Sequence, residues 1–404
     1  MNKRKADEVK PVEVLIVGIG GYGMRYLEAV REYAHKGMAR LVAVVDPCPE
    51  NCPAWERIKA ESVPHFSTLE DYLASGSRAD LAAISSPIAF HAHQACLALE
   101  AGMNVLCEKP ICATMDEARR MIAHRDSSGR FLEIGYQWVF SQAVQELKSD
   151  ALAGLLGAPR RFLTRVAWPR GSAYYGRNNW AGAVRDAAGR VVYDSPVNNA
   201  TAHHLHAMLY IAGLESSAAA RPTAVTAECY RANKIENFDA ACCRIETREG
   251  VEILFYSAHC VEEYSGPLMR YEYENAVVEF TMEGGMVARF GDGAVKAYGS
   301  PIDDPMRKMR HCIQRCRDGG KGAAVCPPEA AAAHTLCVEG IQHMPVQEFP
   351  PDEIREKETE PGNRLVYMPG LATAMEICFE RGVLFSEFDQ PPLTWTVRAR
   401  RVEL

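Results

Sequence analysis

The chain has 404 residues, 48% of them hydrophobic and 24% charged. That composition belongs to a globular protein rather than a disordered or fibrous one, and the length suffices for two sizeable cores. A formal net charge of −7 argues against a general nucleic-acid binder, which needs a basic face, but leaves room for a local basic pocket.

The chain opens on a basic start (Lys3, Arg4, Lys5) ahead of the apolar run from Val12 to Ile19. Asp7, Glu8 and Glu13 interrupt this pattern, and it leads into a glycine loop instead of a small-residue cleavage site, so it does not read as a signal peptide. Val12–Val17 reads as a buried parallel strand bounded by Pro11 and Gly18. Met24–Tyr33 follows with helical spacing, and Leu41–Val45 is a second strand ending at Asp46. Further along come a short helix at Leu69–Leu73, a strand at Leu81–Ile84 closed by Ser85-Ser86-Pro87, and a helix at Ala92–Ala101. The series ends with a strand at Asn104–Cys107, a helix at Met115–Arg125 with Thr114 as its N-cap, and a strand at Phe131–Gly135. Strands and helices in short alternation predict an α/β fold with a doubly wound parallel sheet. Its ligand belongs beyond the carboxyl ends of the strands, where Gly18, Asp46, Pro87 and Lys109 fall.

The remainder differs in texture. Arg160–Trp168, Ala224–Tyr230, Ala240–Glu246, Glu252–His259 and Tyr271–Phe280 are rich in β-branched and aromatic residues and predict a large open antiparallel sheet. Helices are expected at Ala200–Ala212, Met306–Arg317 and Leu371–Glu380, and from Ala323 into Val338. The expected division is a nucleotide-binding domain over 1–140 and a substrate-binding α+β domain over 141–404. No stretch approaches the ~20 apolar residues of a membrane-spanning helix. The 14 cysteines are scattered; Cys48/Cys52, Cys107/Cys112, Cys242/Cys243 and Cys312/Cys316 lack zinc spacing. They are expected to be free thiols acting as small hydrophobes in a reducing, cytoplasmic compartment, with no metal site.

Gly18-Ile19-Gly20-Gly21-Tyr22-Gly23 follows a strand and opens a helix. Gly18 permits the turn, Gly20 lets backbone approach a pyrophosphate, and Gly23 lets helix pack on strand. The helix start offers free N–H groups to the anion. Asp46 ends the next strand, placed to accept from adenosine ribose hydroxyls. No arginine nearby balances a 2′-phosphate, so NAD is the expected cofactor rather than NADP. Lys109, in Glu108-Lys109-Pro110, can hydrogen-bond a substrate hydroxyl and stabilise its oxyanion. On a helix, Asn199 and His203 share a face with His206 nearly alongside, and an imidazole is a natural general base. Metal binding by His203 and His206 lacks a third ligand of suggestive spacing. Trp168-Pro169-Arg170 and Tyr174-Tyr175-Gly176-Arg177-Asn178-Asn179-Trp180 combine rings, amides and guanidinium groups, as sugar pockets do.

Together these motifs resemble the Gfo/Idh/MocA oxidoreductases, glucose–fructose oxidoreductase and inositol dehydrogenase among them. The resemblance also runs through Ser86-Pro87-Ile88-Ala89-Phe90-His91, Gly135-Tyr136-Gln137 and Ala181-Gly182. It implies a Rossmann domain followed by an open-faced sheet that often serves as an oligomer interface, hence a homodimer or homotetramer. Ser86, Pro87, His91, Glu108, Lys109 and Pro110 join Gly18, Gly20, Gly21, Tyr22, Gly23 and Asp46 at the cofactor. Lys109 matches the family's active-site lysine and His203 its usual catalytic histidine. Asn199 stands where an aspartate is usual, and His206 where a second acidic residue is common. Tyr136, Trp138, Tyr175, Arg177, Trp180 and His206 are expected at the substrate. The expected reaction is NAD-dependent hydride transfer at a secondary hydroxyl of a sugar, polyol or sugar acid. The neutral Asn199 keeps open a redox-neutral, NAD-retaining glycoside hydrolase or lyase; a catalytically silent NAD-binding sensor is the third reading.

Overall fold

The computed structural model describes residues 10–388 and 395–404; the basic start at Lys3–Lys5, with Asp7 and Glu8, lies outside them. The described chain forms two compact units. The first holds the segment ending at Ile111, then Glu117–Gly135 and Pro305–Pro328. The second holds Cys112–Asp116, Tyr136–Asp304 and the chain from Glu329 onward. The break at Gly135/Tyr136 falls just before the expected boundary, and the later return to the first unit has no counterpart in the sequence pattern.

In chain order the first unit carries β1 (Val12–Val17), α1 (Gly23–His35), β2 (Ala39–Val45), α2 (Trp55–Ala60), β3 (His65–Phe66) and α3 (Leu69–Ala74). Then come β4 (Leu81–Ile84), α4 (Ile88–Glu100), β5 (Asn104–Cys107), α5 (Met115–Ser128) and β6 (Leu132–Ile134). The six strands are parallel in the order β3-β2-β1-β4-β5-β6. Every residue of β4 and β5 is buried, which explains their continuous apolar runs: helices cover both faces of such a sheet. The strand order reverses direction between β1 and β4, so the turns after these two strands lie side by side. Ser85 Oγ donates to the Gly18 carbonyl at 2.7 Å across that junction.

The second unit contains α6 (Gln142–Leu152), β7 (Pro159–Ala167), α7 (Ser172–Tyr175), α8 (Ala202–Ala212), β8 (Pro222–Arg231), β9 (Ala240–Thr247) and β10 (Glu252–Ala258). It continues with β11 (Ser265–Tyr273), β12 (Ala276–Thr281), β13 (Gly285–Phe290) and β14 (Val295–Gly299). After α9 (Arg307–Arg317), which belongs to the first unit, the chain supplies α10 (Pro328–Gln342), β15 (Val346–Glu348), β16 (Arg355–Glu360), β17 (Asn363–Tyr367), α11 (Leu371–Arg381) and β18 (Arg400–Glu403).

Its large sheet runs β14-β13-β12-β11-β7-β10-β9-β8-β15, with β18 also on β8. It is mixed rather than purely antiparallel: β10 pairs with β7 in parallel, as β15 does with β8. The run expected as one strand over Tyr271–Phe280 is two, β11 and β12, paired antiparallel. The alternation of side chains along β10 divides the core. Leu254, Tyr256 and Ala258 pack with Met375, Cys378 and Phe379 of α11, while Ser257 meets Thr201, at the start of α8, on the other face.

α9 closes the first unit. Met309, Cys312 and Ile313 join Val14, Ile16, Leu81 and Leu106 in one cluster. Two buried carboxylates pin the returning segment. Glu133 bonds Arg315 and accepts from the N–H groups of Val325, at 3.2 Å, and Cys326, at 2.7 Å. Glu108 bonds Lys308, whose ammonium also donates to the Gly135 carbonyl at 3.2 Å. Burial opposes the Lys308 charge, but the Glu108 carboxylate and the Tyr22 hydroxyl together outweigh it and hold its pKa above the ordinary lysine value. All fourteen cysteines are free; Cys48 alone is exposed, with Cys96 and Cys316 half-buried. No helix of the described residues is long and apolar enough to cross a membrane.

Removing one partner of a buried ion pair strands the other's charge. Lys308→Met or Glu108→Gln is therefore expected to lower unfolding free energy by about 3–5 kcal/mol in urea titrations. The double variant should cost clearly less than the sum of the singles; strict additivity would show that the pair is not coupled.

Candidate functional site

The carboxyl edge of the first sheet is shaped by glycines with different tasks. Gly18 has φ +80°, and a Cβ there would lie 2.7 Å from the Ser86 nitrogen. A Cβ on Gly23 would lie 2.0 Å from the Gly18 carbonyl oxygen. These two glycines serve the protein's own packing. Gly20 and Gly21 differ: a Cβ at either meets nothing within 4 Å, so the loop leaves open space above it. No side chain caps the start of α1, and its first turn holds no acidic residue. An open glycine loop before such a helix start fits the pyrophosphate of a dinucleotide, with Gly20 and Gly21 as its floor.

Asp46, at the end of β2, is anchored by backbone. Its Oδ2 accepts from the Ile19 N–H and its Oδ1 from the Cys48 N–H, both at 2.9 Å. Each oxygen keeps a second lone pair for a ribose hydroxyl. The carboxylate is thus tied to the glycine loop itself.

Two residues expected at the cofactor brace the turns there. His91 is buried and bridges the Ser86 carbonyl, at 2.8 Å, and the Pro110 carbonyl, at 2.9 Å; burial pushes its pKa down. Glu108 turns inward, bonding Lys308 and the Tyr26 hydroxyl and accepting the Lys109 N–H at 3.1 Å. Lys109 is half-buried, Pro110 buried and Pro87 exposed, while Ser86 Oγ donates to Gln94 at 2.5 Å.

In the second unit, the expected continuous helix over Ala200–Ala212 is broken. A π turn at Pro196–Ala200 precedes α8, and Thr201 at the junction donates back to the Pro196 carbonyl at 2.8 Å. Such wide turns are frequent at functional sites. Asn199 lies in the π turn and His203, half-buried, in the first turn of α8. His206 is fully buried and stacks on the Tyr136 ring at 3.8 Å; burial first, then neighbouring His334, pushes its pKa well down. Tyr136 also stands edge-on to His203 at 6.0 Å, and its hydroxyl hydrogen-bonds His334 Nδ1 at 3.0 Å. Trp138, expected at the substrate, is buried between His204 and Phe280.

The Asn199 amide donates to Asp194 Oδ1 at 2.7 Å. Asp194 is only 3% exposed, and its other oxygen accepts the Gly182 N–H at 2.7 Å and faces Arg177 at 3.4 Å. The Arg177 guanidinium lies 3.6 Å over the Tyr174 ring and 5.4 Å from Trp180. Arg170 fills the gap between Tyr174, at 5.2 Å, and Trp168, at 5.7 Å. Tyr264, 61% exposed, stacks on Trp168 at 5.5 Å. Rings and guanidinium groups thus alternate from Trp168 to Trp180, with Tyr264 stacked on the Trp168 end.

Tyr174, not Tyr175, is the ring on this ladder; the Tyr175 hydroxyl is buried without a hydrogen-bond partner. Sequence reasoning missed His259, whose Nδ1 meets the Trp168 carbonyl at 2.9 Å. Burial and then the nearby Arg170 push its pKa down to about 3. It also gave no role to Asp194, although Asp194-Ser195-Pro196 stands out just before the helix, and nothing in the pattern singled out His334. Among the described residues no group of three His, Cys, Asp or Glu side chains is placed to hold a metal.

Comparison with known proteins places this architecture. Residues 12–136 match the oxidoreductase family with an NAD-binding Rossmann fold, Gfo/Idh/MocA. D-Glucoside 3-dehydrogenase of Escherichia coli (strain K12) is 29% identical over 156 residues, 38% of this chain and 43% of that protein. Inositol 2-dehydrogenase 1 of Saccharopolyspora erythraea is 31% identical over 145 residues, 35% of this chain and 43% of that protein. These alignments thus span less than half of either curated relative. The likeness in fold extends further: the WlbA dehydrogenase of Bordetella pertussis, solved with NADH and UDP-GlcNAcA, superposes with a TM-score of 0.66 at 19% identity. That match covers 82% of this chain and 95% of the other. The match to the Gfo/Idh/MocA oxidoreductase family thus lies in the segment that forms the parallel six-stranded sheet, while the large mixed second sheet is shared in fold with the solved dehydrogenase.

Proposed function

We propose that the protein is an NAD-dependent oxidoreductase acting on a secondary hydroxyl of a sugar, polyol or sugar acid. The observation that carries this reading is the Asp46 carboxylate, tied by backbone N–H groups beside an open glycine loop. A carboxylate there accepts from two ribose hydroxyls and repels a 2′-phosphate, which favours NAD over NADP. NAD held on the glycine loop and Asp46 would supply the hydride chemistry. Lys109 donates a hydrogen bond to the substrate oxygen and steadies its charge, and His203 takes the hydroxyl proton, with Asn199 orienting the reacting groups. The aromatic and guanidinium ladder with Arg177 and Trp180 supports a polyhydroxylated substrate, since rings cover C–H faces and guanidinium forks grip oxygens.

Denaturing the purified protein, identifying any released nucleotide and screening sugars for NADH formation tests the reading as a whole. NAD release with product formation but no NADH accumulation would replace it with a redox-neutral reaction. Lys109→Ala and His203→Ala are each expected to lower kcat at least about 100-fold; wild-type turnover in both variants would overturn the roles of these two residues.

The two glycines separate folding from binding. Gly20→Ala should leave the thermal midpoint near wild type and weaken NADH binding, because its methyl occupies only the open space. Gly23→Ala should lower the midpoint by several degrees, because its methyl collides with backbone. Titration by fluorescence and a melting scan on both variants check this. Asp46→Ser should shift the NADH:NADPH affinity ratio toward NADPH by about tenfold, which is about 1.4 kcal/mol.

A further inference from the structure

We propose that Asp194 is a positioning residue for the reaction: through Asn199 it sets the orientation and charge felt at His203, and this rests on the function proposed above. A carboxylate can only accept. The atom of Asn199 on Asp194 Oδ1, 2.7 Å away, is therefore the amide nitrogen, and the amide oxygen is turned the other way. Asn199 stands four residues before His203 in the chain, with its amide oxygen assigned to the side of that imidazole as an acceptor without a charge. The charge sits one side chain further back.

Asp194 is built to stay where it is. Its backbone N–H donates to the Ala183 carbonyl at 2.9 Å, and its carbonyl accepts the Asn237 amide at 3.1 Å. The Gly182 N–H that reaches Oδ2 comes from a residue at φ +71°, where an added Cβ would press on Ile235 at 2.9 Å. Arg177 compensates the charge from its seat on Tyr174. One buried carboxylate therefore aligns both the amide ahead of the proposed base and a guanidinium of the ladder.

Other groups around the proposed base keep their own arrangements. Tyr136 presents a ring edge to His203 and hydrogen-bonds His334. On α8 itself, His206 is held neutral by burial, and His204 meets the Thr201 carbonyl at 3.1 Å. Lys148 of α6 bonds the carbonyls of Tyr210 and Gly213 at the far end of α8. A carboxylate acting through an amide, and partly offset by Arg177, raises the basicity of His203 less than one in direct contact.

Exchanging the pair tests the inference. Asp194→Asn alone is expected to lower kcat by about 10- to 100-fold with KM changed only a few-fold. Combining it with Asn199→Asp keeps one amide and one carboxylate in contact but brings the charge beside His203. The double variant should regain at least about tenfold in kcat. It should also move the His203 titration, followed by NMR and assigned with His203→Gln, upward by about one pH unit, with the acid limb of kcat/KM moving alike. A purely structural pair would regain turnover without moving either titration. Wild-type kcat and His203 titration in Asp194→Asn, or a double variant no better than the single, overturns the inference. If Asp194→Asn does not fold, Asn199→Ala, which leaves Asp194 on Gly182 and Arg177, must show the same loss; unchanged readouts overturn it. A shifted His203 titration in a protein whose wild type turns over no sugar upholds the positioning and overturns the dehydrogenase reading.

Discussion

Glu108 and Lys308 sit 200 residues apart in sequence and share one buried hydrogen bond. Taking either charge out of water costs several kcal/mol, so neither would lie there alone. The cost is offset only by geometry. The carboxylate takes Lys308 and the Tyr26 hydroxyl on one oxygen and the Lys109 N–H on the other. The ammonium lies 4.5 Å over the Tyr22 ring and 5.3 Å from Tyr26, at the start of α1. One ion pair therefore joins three things: the turn that carries Lys109, the helix that follows the glycine loop, and α9. Without α9 the sheet would lose Met309, Cys312 and Ile313 from its core, exposing the face against which β1 and β4 pack.

That constraint changes how the Glu-Lys-Pro turn is understood. In sequence all three residues fall at a strand end where ligands bind, and all three look like binding residues. In the structure they divide: Glu108 faces inward and holds the turn, Pro110 is buried and Lys109 is half-buried. His91 tells the same story from the neighbouring loop, where its ring ties the Ser86 and Pro110 carbonyls together. A short motif records that a turn is needed, but not which way each side chain points.

Legibility followed the range of the interactions. β1, β4 and β5 begin and end where their apolar runs do, because a strand buried on both faces leaves nothing to interpret. The turn at Gly18 and the close packing at Gly23 were likewise readable, since each answers a demand within its own βαβ unit. The hairpin between β11 and β12 was hidden because Glu274 and Asn275 supply neither glycine nor proline, and the residues flanking them continue one another's alternation. The parallel pairing of β7 with β10 leaves no local trace at all. Nor do Lys308 and His334, whose partners lie far along the chain, or the π turn at Pro196–Ala200, which puts Asn199 outside the helix that carries His203.

The two units solve a common electrostatic problem in the same way. A group that must hold or move a proton needs a nearby charge, yet a charge in direct contact would fix its protonation too firmly. In the first unit the carboxylate of Glu108 stands behind Lys109 but is satisfied by Lys308. In the second, Asp194 stands behind Asn199 and is balanced by Arg177. In each case the buried acid orders backbone and neighbours: Glu108 holds the Lys109 N–H, and Asp194 holds the Gly182 N–H and the Asn199 amide. The asparagine four before His203 then reads less as a missing aspartate than as a spacer, with the acid moved back to a place where its charge can be held and compensated.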